Sequence, residues 1–334
     1  MIATVLGTGA WGTTFAQVMA DAGVTVRIWG RDAATALEIN TEHTNTKRLA
    51  GVTLSPQIWA TTDPAQALAD ADLVVVAIPS QSARTILAPI AKLVPDHAIA
   101  VSLMKGVELG TDQRMSEVLC ESLGIELDRV VVVSGPNLAG EIAAKQPTAT
   151  VVSGTNEHNV KVVADACSNS YFRPYTNLDL VGVELCGAVK NVIAVAVGMA
   201  QGRGFGHNTT ATIITRGLAE ITRLGLALGA DRETFPGLAG MGDLMATCAS
   251  PLSRNHTLGK HMGRGLTLEQ AIVETGGTAE GVKSCASVAQ LAKRVGVEMP
   301  ITDAVVAVLH EGLPIEDMTA MLLSRPKKAE GTKA

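Results

Sequence analysis

Ile2-Ala3-Thr4-Val5-Leu6-Gly7-Thr8-Gly9-Ala10-Trp11-Gly12 opens the chain with a short apolar run followed by glycines at fixed spacing. An apolar run of this length leading into Gly-x-Gly-x-x-Gly reads as a buried strand, a tight turn and the start of a helix. That is the opening unit of a doubly wound parallel sheet. Each glycine has its own task there. Gly7 permits the turn, Gly9 lets a pyrophosphate approach the backbone, and Gly12 allows close helix–strand packing. The helix then aims unpaired N–H groups and the positive end of its dipole at the phosphates.

The pattern continues beyond this turn. Val24–Trp29 reads as a second strand and Ala33–Glu42 as a helix. Asp63-Pro64 has the form of an N-cap with proline at the first helical position, opening a short helix to Ala69. Asp72–Pro79, Ile99–Leu103 and Val130–Ser134 are continuous apolar runs of the kind buried on both faces of a sheet, and Ala149–Ser153 and Phe172–Tyr175 add two further strands. Strands separated by helices predict a parallel sheet with right-handed crossovers. After Asp179 strand signals nearly vanish. Helical periods cover Leu180–Gln201, Thr209–Leu228, Arg232–Phe235, Leu244–Cys248, Thr267–Glu274, Ala279–Val295 and Ile301–Glu311. The expectation is a Rossmann-like α/β domain over residues 1–180, an all-helical substrate domain over 181–326 and a flexible tail over 327–334.

Composition agrees with this plan. The 334 residues suit two domains at roughly 100–200 residues each. Hydrophobic residues make up 47% and charged residues 18%, which excludes a disordered chain. Aromatics are 3% against 33 glycines, so the core is built from small aliphatic side chains. A net charge of −5 leaves no basic footprint for nucleic acid. Cys120, Cys167, Cys186, Cys248 and Cys285 are widely spaced with no Cys-x-x-Cys, which argues against a disulfide framework or a zinc site and for a reducing cytoplasm. Ile2–Leu6 is too short for a signal-peptide core. Leu180–Ala200 is interrupted by Glu184, Lys190 and Asn191, so it reads as a buried core helix with no stable membrane insertion.

Several polar residues stand where this fold delivers chemistry. Arg31, in Trp29-Gly30-Arg31-Asp32 at the end of the second strand, suits a 2′-phosphate and favours NADP, while Asp32 keeps NAD open. Lys105 follows the strand Ile99–Leu103, at the edge where parallel strands present residues to a ligand. Gly135 and Pro136 fix a turn after the next strand. Asn137 is placed to cap the following helix, and the backbone around Gly135 and Ala139 is placed to line a cofactor. Lys190 is mid-helix, and its neighbours Cys186, Gly187, Ile193 and Ala194 carry no charge. Desolvation lowers a lysine pKa and suits it to exchange a proton near neutral pH, with Asn191 beside it as an orienting amide. Asp243 opens a helix with Thr247 one turn on, a pair able to hold Lys190 or substrate hydroxyls. Ser253 reads as a helix cap that puts Arg254 and Asn255 at the positive end of the dipole, which suits a phosphate monoester.

Together these residues resemble the NAD(P)-dependent glycerol-3-phosphate dehydrogenases of the bacterial biosynthetic type, over essentially the whole chain. The resemblance rests on Gly7-x-Gly9-x-Trp11-Gly12-Thr13, Pro79-Ser80, Lys105-Gly106, Ser134-Gly135-Pro136, Glu184-Leu-Cys-Gly187-Ala-Val-Lys190-Asn191, Gly240-Met-Gly242-Asp243-Leu244 and Ser253-Arg254-Asn255. It implies reduction of dihydroxyacetone phosphate to sn-glycerol 3-phosphate for glycerophospholipid synthesis, by a cytoplasmic homodimer without a metal. Lys190 then resembles the proton donor and acceptor, with Lys105, Asn191, Asp243 and Thr247 around the reacting group. Lys105, Gly135, Asn137, Asp243, Ser253, Arg254 and Asn255 fall on the substrate side. Gly7, Gly9, Ala10, Trp11, Gly12, Arg31, Arg48, Lys105, Ala139, Arg254 and Glu280 fall on the cofactor side. The chain departs from the family at Ala10, where a serine is common, and at Lys47-Arg48-Leu49-Ala50-Gly51, where Tyr-Leu-Pro-Gly is frequent. Arg48 thereby exchanges an aromatic wall for positive charge near the adenine end. Two rival readings are a two-domain hydroxy-acid dehydrogenase, against which Ser253-Arg254-Asn255 argues, and a non-catalytic dinucleotide sensor, which needs no Lys105, Lys190 and Asp243 together.

Overall fold

The computed structural model describes residues 1–276 and 279–318. The chain divides into two compact units, Met1–Lys105 with Gln113–Glu184, and Gly106–Asp112 with the residues from Leu185 onward. The segment 327–334, read above as a tail, lies outside the described residues.

The first unit alternates β1 (Ile2–Leu6), α1 (Ala10–Asp21), β2 (Thr25–Trp29), α2 (Ala33–Glu42), β3 (Ile58–Thr61), α3 (Pro64–Leu68), β4 (Leu73–Val76), α4 (Ala83–Leu87), β5 (Ile99–Ser102), α5 (Met115–Leu123), β6 (Val130–Ser134), α6 (Ala139–Ala143), β7 (Thr148–Gly154), α7 (Glu157–Cys167) and β8 (Phe172–Asn177). These strands form one sheet in the order β3-β2-β1-β4-β5-β6-β7-β8. Side chains alternate across it. Leu73 and Val75 join Phe15, Val18, Val160 and Val163 on the α1/α7 face, while Val74 and Val76 join Leu87, Met115, Val118 and Leu119 on the α4/α5 face. A strand apolar at every position is therefore buried on both sides, as a doubly wound sheet requires.

The wholly parallel sheet expected from the sequence is corrected at β7, which pairs antiparallel with β6, while β8 runs parallel to β7. The reason lies in the connection. A parallel return needs a crossover long enough to carry the chain back along the sheet. The only helix between β6 and β7 is the five-residue α6, roughly 7 Å at about 1.5 Å per residue. The chain turns back at the same edge instead. The sequence reading also missed β3, α4, α5 and α7, and Arg232–Thr234 is a single 3₁₀ turn rather than an α-helix.

The second unit is helical in its described residues, apart from connecting turns. Its helices are α8 (Leu180–Gly202, entering this unit at Leu185), α9 (His207–Ala227), α10 (Asp243–Ala249), α11 (Arg254–Gly263), α12 (Leu268–Glu274), α13 (Glu280–Arg294) and α14 (Pro300–His310). Among the described residues α8 alone is long and apolar enough to cross a membrane, and 94% of its most apolar window is buried in the protein. Its crossing with α11 is unusually close. A Cβ on Gly198 would meet Lys260 N at 2.8 Å, and one on Gly263 would meet Gly202 Cα at 2.9 Å. Backbone thus lies on backbone at the crossing, which only glycine allows. The short segment Gly106–Asp112 is tied to α13, with Ser287 Oγ donating to Val107 O at 2.9 Å and Arg294 pairing with Asp112 at 3.7 Å.

Candidate active site

In the first unit the glycine-rich turn has the geometry its sequence predicts. Gly7 has φ +123°, and a Cβ there would sit 2.5 Å from Ala77 O. A Cβ on Gly12 would meet Gly7 O at 2.7 Å and Ala77 Cβ at 2.8 Å, so α1 packs directly on the β1–β4 edge. Gly9 differs: beyond its chain neighbours, no atom of the described residues lies within 4 Å of where its Cβ would be. Gly9 is also the N-cap of α1, with no side-chain cap and no acidic residue in the first turn. Among the described residues the first N–H groups of α1 therefore have no side-chain cap and no acidic residue in their own turn. These features fit the pyrophosphate of a dinucleotide. Trp11 stands edge-on to Phe15 at 5.5 Å, with its indole N–H buried and unpartnered among the described residues.

The carboxyl ends of the other strands add three features. Lys105 Nζ donates to Gly135 O at 3.0 Å, joining the turns after β5 and β6. Thr14 on α1 donates to Ala139 O at 3.3 Å, which docks the start of α6 beside the glycine-rich turn. The expected capping role of Asn137 is corrected. Leu138 is the N-cap of α6, and Asn137 Nδ2 donates instead to Thr150 Oγ1 at 2.9 Å. The antiparallel β7 causes this, because it brings Thr150 against the Gly135 turn.

Arg31 is exposed, and its side chain has no partner among the described residues. Asp32 is committed: it caps α2, accepting from Thr35 Oγ1 at 2.9 Å and Ala34 N at 3.1 Å, and these two bonds hold its carboxyl below the usual range. Arg48 is likewise exposed with an unpartnered side chain among the described residues. Its loop is set by Asn45, which the sequence reading passed over. Asn45 is fully buried, donates to Thr8 O at 3.1 Å and Thr13 Oγ1 at 2.9 Å, and accepts Arg48 N at 3.0 Å on its backbone oxygen. One asparagine thus clamps the glycine-rich turn to the Arg48 loop. An isolated polar residue in a loop carries no local signal of that role.

In the second unit Lys190 projects from α8 with 7% of its surface exposed and Asp243 with 1%. Lys190 Nζ is bonded to Asp243 Oδ1 and lies 2.7 Å from Thr247 Oγ1. Asp243 is the first residue of α10, behind the π-helical turn Leu238–Gly242, and its carboxylate turns to the lysine rather than capping its own helix. A buried charge is tolerable only when paired and hydrogen-bonded. Both conditions are met, and an ammonium held this way is placed to exchange a proton with a substrate oxygen. Cys248 is buried alongside. Burial pushes its thiol up to about 12 against the opposing pull of Lys190.

Ser253 caps α11 as expected, accepting His256 N at 3.3 Å. Arg254 opens that helix, exposed and with its side chain unpartnered among the described residues. Asn255 is buried, donating to Asn191 Oδ1 at 2.9 Å and accepting Gly281 N at 2.8 Å. Glu280 is the half-buried first residue of α13. The structure therefore gathers Lys190, Asp243 and Thr247 into one cluster and Asn191, Asn255 and Gly281 into another. Gly281 was invisible in the sequence as a site residue. Among the described residues no cluster of His, Cys, Asp and Glu has the makings of a metal site.

A glycine-rich turn ready for a pyrophosphate in one unit, and a buried lysine–aspartate pair in a helical other, define a dinucleotide-dependent dehydrogenase. Residues 2–160 match the N-terminal part of the NAD-dependent glycerol-3-phosphate dehydrogenase family, and residues 179–320 match its C-terminal part. A glycerol-3-phosphate dehydrogenase [NAD(P)+] of Streptomyces griseus is 56% identical over 328 residues, covering 98% of each chain. The crystal structure of glycerol-3-phosphate dehydrogenase from Coxiella burnetii is 34% identical with a TM-score of 0.91, covering 97% of this chain and 99% of that one. The Saccharomyces cerevisiae enzyme is 30% identical with a TM-score of 0.83, over 96% and 99%. The chain belongs to the NAD-dependent glycerol-3-phosphate dehydrogenase family.

Proposed function

We propose that the chain catalyses the NAD(P)H-dependent reduction of dihydroxyacetone phosphate to sn-glycerol 3-phosphate, the reversible step that supplies glycerophospholipid synthesis. The observation that carries this reading is the buried Lys190–Asp243–Thr247 cluster, in a chain that matches the family in both halves. A bound nicotinamide dinucleotide supplies the hydride. The protein's part is to bind, orient and move one proton. Gly7, Gly9, Ala10, Trp11 and Gly12 hold the dinucleotide at the start of α1, with Lys105, Gly135, Asn137 and Ala139 along the neighbouring turns. Ser253 fixes the α11 N-terminus, where Arg254 and Asn255 grip the phosphate monoester. Lys190 gives its proton to the carbonyl oxygen as that oxygen gains charge. Asp243 and Thr247 keep the ammonium in place, and Asn191 orients the group beside it.

NADP is the favoured cofactor. The unpartnered Arg31 supports this, as does Asp32, whose carboxylate is spent on capping α2 rather than left for a ribose hydroxyl. Arg48 and Glu280 complete the cofactor side. The free cysteines support the reducing cytoplasm as its compartment. The family likeness supports a homodimer, which sedimentation velocity tests. The decisive experiment is turnover of purified protein with dihydroxyacetone phosphate and each cofactor. Lys190→Ala is expected to abolish turnover and leave cofactor affinity near wild type, and retained activity would refute the assignment. Arg254→Ala is expected mainly to raise the substrate KM.

A further inference from the structure

We infer that Gly281 is a positioning residue for the substrate anion: its backbone N–H fixes the amide of Asn255, and through it that of Asn191, so that both side chains offer only donors. This rests on the reading above, in which Asn255 touches the phosphate. The argument is one of hydrogen-bond polarity. A backbone N–H only donates, so the Asn255 atom 2.8 Å from Gly281 N is the carbonyl oxygen. The NH₂ end of Asn255 must then face Asn191, and the atom it meets at 2.9 Å must accept, which makes it Asn191 Oδ1. Neither amide is free to flip. The oxygen of each is turned to a donor inside the unit, which leaves its NH₂ end for a ligand.

What remains is a set of donors. Asn255 keeps one unspent N–H, and the NH₂ of Asn191 has no acceptor among the described residues, although that residue is only 4% exposed. A donor on a residue with so little access to water is best matched by a ligand acceptor, and an oxyanion, which only accepts, is such a ligand. Lys190 stands next to Asn191 in sequence and Arg254 next to Asn255, two cations that add to the attraction for an anion. Such an arrangement recognises a phosphate dianion and discriminates against an alcohol or an amide, whose own N–H or O–H would have nothing to donate to.

Glycine is required at 281 because the approach is too close for anything larger. A Cβ there would lie 2.8 Å from the backbone oxygen of Asn191 and 2.9 Å from Asn255 Oδ1, the atom its own N–H must hold.

The test uses the full-length protein, the cofactor that supports wild-type turnover and glycerol 3-phosphate as the probe, with Gly281→Ala and Asn191→Asp. Gly281→Ala is expected to raise the KM for glycerol 3-phosphate about tenfold or more with kcat changed less than about threefold, the loss of one hydrogen bond to an anion. Cofactor affinity is expected to stay near wild type, while the melting temperature falls because the added methyl would lie 2.8 Å from the backbone oxygen of Asn191. Asn191→Asp keeps an acceptor for Asn255 but turns its remaining donors into a carboxylate oxygen, so its KM is expected to rise by about a hundredfold with the fold intact. An unchanged KM in either variant overturns the inference. A parallel loss of kcat and cofactor affinity in Gly281→Ala also overturns it, because that marks a merely structural glycine. If Gly281→Ala does not fold, Asn191→Asp alone decides. A wild-type chain that fails to turn over glycerol 3-phosphate with either cofactor defeats the functional reading instead, an outcome separate from all of these.

Discussion

Glu220 makes stability of the helical unit depend on pH in a direction that can be worked out. It lies on α9 with 2% of its surface exposed, and accepts Ile301 N at 2.7 Å and Thr302 N at 3.3 Å at the start of α14. Burial pushes its carboxyl from 4.5 up to about 7, against the downward pull of those two N–H groups. The folded chain therefore holds the proton more tightly than the unfolded chain. For a group raised in this way, the stabilisation is fully present below pH 4.5 and is lost as pH climbs towards 7. The gap corresponds to about 3 kcal/mol. Glu220→Gln keeps the volume and an acceptor but removes the titration. The stability of wild type relative to this variant is expected to fall by about 3 kcal/mol between acid and pH 8, almost all of it before pH 7. Urea unfolding followed by far-UV circular dichroism measures this. Tryptophan fluorescence does not, because Trp11, Trp29 and Trp59 all lie in the sheet unit. A difference that stays constant across the range, or that grows in favour of wild type as pH rises, refutes the reasoning.

Three further perturbations have definite expected outcomes. Asp243→Leu strands a buried ammonium and is expected to cost about 3–5 kcal/mol in urea unfolding, whereas Lys190→Met with Asp243→Leu recovers most of that loss and stays inactive; equal losses in the two variants would contradict the pairing. Gly259→Ala puts a Cβ 3.0 Å from Met199 N and closer still to Val195 O, and is expected to cost about 3 kcal/mol or more, read as a lower melting temperature. Cys167, Cys248 and Cys285 are buried, with burial pushing each thiol up to about 12, so iodoacetamide at mildly alkaline pH is expected to leave them unmodified in the native protein, and early labelling of Cys248 by peptide mass mapping would contradict this.

Features decided by a few neighbouring residues were legible in the sequence, and features decided by distant contacts were not. The spacing of Gly7, Gly9 and Gly12 was legible as a local pattern, although Ala77, far along the chain, is what crowds Gly7 and Gly12, and Asp63 with Pro64 opens α3 as read, with Asp63 accepting Ala65 N at 2.8 Å. The direction of β7 was hidden, because an apolar run records burial and not orientation. Helix α11 was legible only at its start. Beyond the Ser253 cap its sequence is polar and carries Gly259 and Gly263, residues that each disfavour a helix by about 1 kcal/mol. Their reason lies across the crossing, on α8. The excursion Gly106–Asp112 has no local mark either, since Ser287 and Arg294 hold it from far along the chain. In the site, Lys190 was legible as an uncompensated charge on an apolar helix face. Asn45 and Gly281 were not, because each is defined by the atom it touches.

The glycine crossing and the polar site are one construction. Asn255 lies one helical turn before Gly259 on α11, and Asn191 lies one turn before Val195 on α8, where Gly259 rests. Helices with ordinary side chains at the contact pack with axes about 8–10 Å apart. A methyl group at Gly259 would have to push α11 outward to reach a normal separation from α8. The bond from Asn255 to Asn191 spans 2.9 Å, and hydrogen bonding fades beyond about 3.5 Å, so a displacement of well under one methyl diameter breaks it. Without that bond the amide of Asn255 would still be held by Gly281, but Asn191 would be free to flip and present its oxygen to the anion. The helix-breaking glycines of α8 and α11 are therefore explained less by the fold, which other helix pairs achieve without them, than by the need to set two amides on different helices within one hydrogen bond of each other.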